Sequence, residues 1–75
     1  MKSSCGEVDK LIGERIRTLR GIRGISCRQL GEEIGVSHPQ VIKYEKAINR
    51  ISASKLLLVA QFLAQDIYWF YKEGK

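Results

Sequence analysis

The side chains that most often carry out chemistry are few in this sequence and poorly spaced for it. His38 is the single histidine and Cys5 and Cys27 are the only cysteines. Together they match no zinc-ligand spacing, and two thiols so far apart make no disulfide framework. They read as free, reduced thiols of a cytoplasmic protein. Cys27 stands at a helix start, where the helix dipole favours a thiolate, so it is either a redox-sensitive group or inert filler. No glycine-rich phosphate loop and no acidic cluster is present, which leaves little for general acid-base, metal or nucleotide chemistry. The expectation is a protein that is not an enzyme and uses neither cofactor nor metal. What the sequence has in excess is positive charge. Thirteen Lys and Arg stand against eight Asp and Glu, a formal charge of +5. Lys2, Lys10, Arg15, Arg17, Arg20, Arg23 and Arg28 face only Glu7, Asp9 and Glu14 over residues 1 to 31, so most of the excess lies in that stretch. A polyanion is the first partner class this implies.

The elements that position these groups follow from the apolar spacing. A chain of 75 residues is one domain, spanning 1–75 with a core over about 8–71, and 44% hydrophobic with 28% charged residues is a folding composition. The longest apolar run, Leu56 to Ala60, is far short of the ~20 residues that cross a bilayer. Met1-Lys2-Ser3-Ser4 does not begin a secretory signal. Val8, Leu11, Ile12, Ile16, Leu19 and Ile22 recur at the 3, 4 spacing of one helix face. Gly21 and Gly24 interrupt it, and Ser26 with Gln29 forms a capping box that opens a short second helix carrying Leu30 and Ile34 inward. Gly35 closes that helix. Ser37 with Gln40 makes a second capping box, and Pro39 in the following first turn costs no helical hydrogen bond. This third helix turns Val41 and Tyr44 inward. Residues 47 to 51 read as a loop, Ser52 caps a fourth helix with Leu56, Leu57, Val59, Ala60 and Leu63 inward, and Asp66 caps a short fifth with Ile67 and Phe70 inward. Five helices and no strand, an all-α domain, are expected.

Two short helices joined by a glycine turn over about 26–46 have the arrangement of a helix-turn-helix. The ordered set IGERIRTLRGIRGIS, QLGEEIGVSHPQVIKYEKA and SASKLLLVAQFLA resembles the helix-turn-helix family of the phage lambda repressor and Cro, also called the xenobiotic response element family. The resemblance covers roughly Ile12 to Phe70. It implies a compact five-helix domain that docks as a dimer on a near-palindromic operator in double-stranded DNA, with the third helix in the major groove. The resulting expectation is a sequence-specific transcriptional regulator, a repressor.

Helical rotation leaves His38, Pro39, Ile42, Lys43 and Lys46 outward on that third helix. The resemblance places Ser37, His38, Pro39, Gln40 and Lys43 at or near base edges. Gln40 suits adenine N6 and N7, Lys43 suits guanine O6 or N7, and Pro39 offers apolar contact to a thymine methyl. Gln40 has a second reading, as the closing member of the capping box with Ser37. Ile42 either touches a thymine methyl or is an exposed apolar side chain. Arg28, Lys46, Asn49 and Arg50, with the backbone N–H groups of Cys27 and Arg28, are the phosphate candidates. The family often has glutamine where Cys27 stands, alanine at Gly31 and glycine at Ala47. Arg20 and Glu45 match a pair that in the family forms a partly buried salt bridge, which makes both structural.

The carboxyl end has more apolar surface than a small core can absorb. Leu58 and Phe62 lie off the core stripe, and Tyr68, Trp69 and Tyr71 cannot all face inward on so short a helix. These five are the expected homodimer interface. The alternative is a protein-interaction module such as an antitoxin, whose aromatic end binds a partner protein while it regulates its own operon. A basic peripheral membrane protein is the weakest reading, because the apolar stripe of the first helix belongs to the core.

Overall fold

The computed structural model describes residues 6–72. Five helices follow in order, α1 (Glu7–Arg23), α2 (Cys27–Ile34), α3 (His38–Glu45), α4 (Ala53–Phe62) and α5 (Ile67–Tyr71), with no strand among the described residues. The all-α architecture is the expected one.

The helix boundaries have local causes. Gly24 (φ 70°) and Gly35 (φ 78°) adopt the left-handed conformation that ends α1 and α2, which costs glycine no Cβ clash. Ser26 closes a full capping box: its Oγ accepts from the Gln29 backbone N–H at 3.1 Å, while its own N–H donates to Gln29 Oε1 at 2.9 Å. Ser37 and Ser52 cap α3 and α4 through the N–H groups of Gln40 (3.2 Å) and Lys55 (3.1 Å). At Ser37 only this half of the box exists, because the Gln40 side chain is engaged elsewhere.

The core is a single cluster of Ile16 and Leu19 from α1, Leu30 and Ile34 from α2, Val41 from α3, Leu56, Val59 and Ala60 from α4, Leu63 just beyond it, and Phe70 from α5. Burying side chains of this size contributes roughly 1.5–3 kcal/mol each. Ile12, Tyr44 and Ile67 pack against its edge. Three residues expected inward are exposed: Val8 at 48%, Ile22 at 69% and Leu57 at 45%. At 17 residues α1 outruns the core at both ends, stranding Val8 and Ile22. On α4 the core takes Leu56, so its neighbour Leu57, rotated by about 100°, faces away.

Backbones approach closely at two glycines. A Cβ on Gly13 would stand 2.5 Å from the carbonyl oxygen of Glu45, and one on Gly31 would stand 2.7 Å from that of Val36. The glycine at 31 therefore lets the α2–α3 turn sit closer than alanine allows. Long cationic side chains complete the assembly by capping helix ends with negative dipole character. Lys55 Nζ donates to Ile34 O at 2.8 Å and Arg23 Nε to Leu63 O at 2.9 Å. Arg15 Nη1 donates to Trp69 O, with its guanidinium 5.1 Å from the centre of the Trp69 ring. None of the helices in the described residues is long and apolar enough to cross a membrane.

Candidate nucleic-acid interface

The geometry of the helix pair starts from the turn. Gly35 reverses the chain, Val36 N–H donates to Gly31 O at 2.9 Å, and Ser37 caps α3. Val41 is buried and Tyr44 half-buried, which fixes the roll of α3. The opposite face presents Ser37, His38, Pro39, Lys43 and Lys46 to solvent, with Gln40 at its margin. Ile42 is neither fully exposed nor buried: it lines a groove with Arg17, Thr18, Cys27 and Lys46, between α1 and the α2–α3 pair.

The back of α3 is anchored by charge. Arg20 Nε and Nη2 meet Glu45 Oε2 and Oε1 at 2.7 and 3.1 Å, a bidentate pair in which the Glu45 side chain is only 6% exposed. The hydrogen bond to Glu45 raises the Arg20 guanidinium above its already high ordinary value, so its charge is permanent. A third donor, Nη1, reaches Ile25 O at 3.0 Å and holds the α1–α2 turn. The structural pairing expected from the resemblance is present.

The phosphate candidates divide. Arg28 and Lys46 are exposed and make no ion pair among the described residues. The N–H groups of Cys27 and Arg28 lie in the first turn of α2, where no intrahelical acceptor exists. Burial, and secondarily the charge of Glu45, pushes the Cys27 thiol up, the direction opposite to that of the helix dipole. Arg50 is tied to the start of α1, its Nε 3.2 Å from Asp9 Oδ2, while Asp9 also accepts from Gly6 N–H at 2.9 Å. Asn49 Oδ1 accepts from Gln40 Nε2 at 3.1 Å, and Asn49 Nδ2 donates to Ile48 O at 3.2 Å. Gln40 therefore does not close a capping box; its side chain reaches across to the loop after α3.

At the carboxyl end Leu58, Phe62, Tyr68 and Tyr71 are exposed at 39, 36, 53 and 39%. Trp69 differs from the expectation, since it packs against the core beside Phe70 and beneath Arg15. Leu57, expected in the core, is exposed as well, at 45%. The sequence reading also missed Arg15, Arg23 and Lys55 as cross-chain caps and Arg17 as a groove residue. Backbone carbonyl acceptors have no sequence signature, so spacing held no signal for them. Among the described residues no group of three His, Cys, Asp or Glu could hold a metal ion.

An outward-facing helix set against a capped partner by a tight glycine turn, on a five-helix body of lambda-repressor-like fold, defines the helix-turn-helix class of DNA-binding domains. Residues 16–70 match the family model described as "Helix-turn-helix", and the chain belongs to that family. It is 47% identical over 66 residues to a protein named as an uncharacterized HTH-type transcriptional regulator of Rickettsia prowazekii, covering 88% of this chain and 51% of that protein. The chain spans about half the length of the curated relatives it matches. The P22 c2 repressor, solved in complex with a synthetic operator, superposes with a TM-score of 0.76 at 27% identity over 84% of this chain and 96% of that one. The biofilm master regulator SinR, solved in complex with DNA, gives 0.72 at 27% identity over 79% and 95%.

Proposed function

We propose that this protein is a sequence-specific, double-stranded-DNA-binding transcriptional regulator, a cytoplasmic repressor with no catalytic step. In this reading α3 enters the major groove of a near-palindromic operator. Ser37, His38, Pro39, Gln40 and Lys43 face the base edges, and Arg28, Lys46 and the first amides of α2 face phosphates. The observation that carries it is the solvent-facing edge of α3, rigidly set by buried Val41 and the Arg20–Glu45 pair. That two similar proteins were solved in complex with DNA supports DNA as the partner of this fold. The exposed apolar side chains of Leu57, Leu58 and Phe62 on α4 and of Tyr68 and Tyr71 on α5 support association into a homodimer. Two copies related by a twofold would set their α3 helices about 34 Å apart, one turn of DNA.

Selection from a random duplex pool at two salt concentrations tests this reading. The expected result is an enriched inverted repeat whose half-site preference relaxes in Lys43→Ala. Weak binding of all sequences, abolished by modest salt, would leave only the phosphate contribution and overturn base reading. Sedimentation of a monomer at high micromolar concentration would overturn the dimer and point to a different protein on the aromatic end.

A further inference from the structure

The side chains of Gln40 and Asn49, nine positions apart, are joined although both lie at the solvent-facing edge of α3. The loop that carries Asn49 is bound to α3 itself: Ile48 N–H and Asn49 N–H both donate to Lys43 O, at 2.9 and 3.3 Å. Its direction is set by Ala47 in the left-handed conformation, at φ 58°. Asn49 therefore moves with α3 as one body. Its amide has a defined sense, because Nδ2 donates to Ile48 O at 3.2 Å and leaves Oδ1 turned toward Gln40. The acceptor Oδ1 can only receive a donor, so it fixes the nitrogen end of Gln40 toward the loop.

An amide nitrogen carries two protons. Assigning the bond to Asn49 to the proton trans to Oε1 leaves Gln40 the proton on the side of Oε1, together with Oε1 itself. These two groups form one edge, a donor beside an acceptor, which is the complement of adenine N7 and N6. We propose that Asn49 is a positioning residue that locks Gln40 in this orientation, and that the half-site consequently contains an A·T base pair read by Gln40. The proposal rests on the reading that α3 enters the major groove. It moves Asn49 from the phosphate contacts to the specificity apparatus. A free glutamine at this edge would have to be ordered, and its amide sense chosen, at the moment of binding; the bond to Asn49 accomplishes both beforehand. The bond is solvent-exposed, so little folding stability depends on it, and removing it isolates the effect on recognition.

The test uses the full chain, its selected operator, and operators carrying each of the other three base pairs at each half-site step, with wild type, Asn49→Ala, Gln40→Ala and the double variant. Wild type should prefer A·T at one step by roughly 5- to 150-fold, the range of a good bidentate contact. Asn49→Ala should lower that preference roughly two- to tenfold, from lost side-chain ordering. Affinity for the substituted operators, the salt slope and the unfolding temperature should stay unchanged. The double variant should match Gln40→Ala alone, because Asn49 acts only through Gln40. Equal weakening on all operators by Asn49→Ala would make it a phosphate contact and overturn the proposal. So would additive losses in the double variant, or a preference at other steps with none lost in Gln40→Ala. A wild type with no base preference at any step would overturn the α3 reading itself, an outcome distinguishable from the others.

Discussion

Glu45→Ala separates folding from recognition most sharply. Glu45 offers both carboxylate oxygens to Arg20, at 2.7 and 3.1 Å, from a side chain 6% exposed. After truncation the Arg20 guanidinium keeps only Ile25 O as an acceptor. Stranding a buried charge costs ~3–5 kcal/mol. Arg20 retains 18% exposure, so water relieves part of the penalty and about 2–3 kcal/mol is expected. A domain of 75 residues has a total stability of roughly 4–11 kcal/mol, so the loss is a large fraction of it. With a domain of this size moving about 4–8 °C per kcal/mol, thermal unfolding followed by circular dichroism should fall by roughly 10–20 °C. Glu45→Gln, which keeps the shape and one acceptor, should fall less. Replacing Arg20 and Glu45 together by methionine should cost less than the sum of the single changes, because no charge is left behind. DNA binding by Glu45→Ala should recover well below its unfolding temperature. A shift smaller than ~4 °C, corresponding to under about 1 kcal/mol, would mean that the pair is effectively solvated, and would refute its role as the anchor of α3.

Ala47 holds φ 58° immediately after α3, where a Cβ costs about 1 kcal/mol or more. Ala47→Gly should raise the midpoint of urea unfolding by an equivalent amount, and a lowered midpoint would show that glycine's unfolded-chain entropy outweighs the strain. Because burial pushes the Cys27 thiol up, a Cys5→Ser variant should be alkylated by iodoacetamide at pH 7 more slowly than the same chain unfolded in urea; faster reaction when folded would show the helix dipole dominating.

The caps were the most legible part of the fold. Ser26 with Gln29, the closing glycines Gly24 and Gly35, and Ser52 all act within a few residues of themselves, where spacing determines geometry. The core stripe was legible in its middle and failed where it met an end: Val8 and Ile22 continue the periodicity of α1 past the body they would pack on. Leu57 failed for another reason, since an all-leucine segment does not say which leucine faces in. At the site, Arg20–Glu45 came through the resemblance and not through any spacing rule. Gln40 shows the limit most clearly. Ser37 and Gln40 have the capping-box separation that Ser26 and Gln29 have, yet only the first serine receives its reciprocal bond. The difference is Asn49, brought alongside by a left-handed turn at an alanine. Trp69 likewise lost its expected exposure to a partner, Arg15, that no local pattern could name.

The basic excess also changes meaning once partners are known. Arg15, Arg23 and Lys55 are hydrogen-bonded to carbonyls, Arg20 is paired with Glu45 and Arg50 with Asp9. Arg17, Arg28, Lys43 and Lys46 are left with no ion pair among the described residues. A lysine or arginine that caps a helix keeps its charge, so it still contributes to the attraction of a polyanion over the ~10 Å at which salt screens the field. It is not free to displace a counterion from a phosphate, which requires contact. Long-range attraction and contact binding therefore draw on different subsets of the same residues. The sequence total of +5 describes the first; the strength and salt sensitivity of a docked complex follow from the few cations that the fold leaves unengaged around α2 and α3.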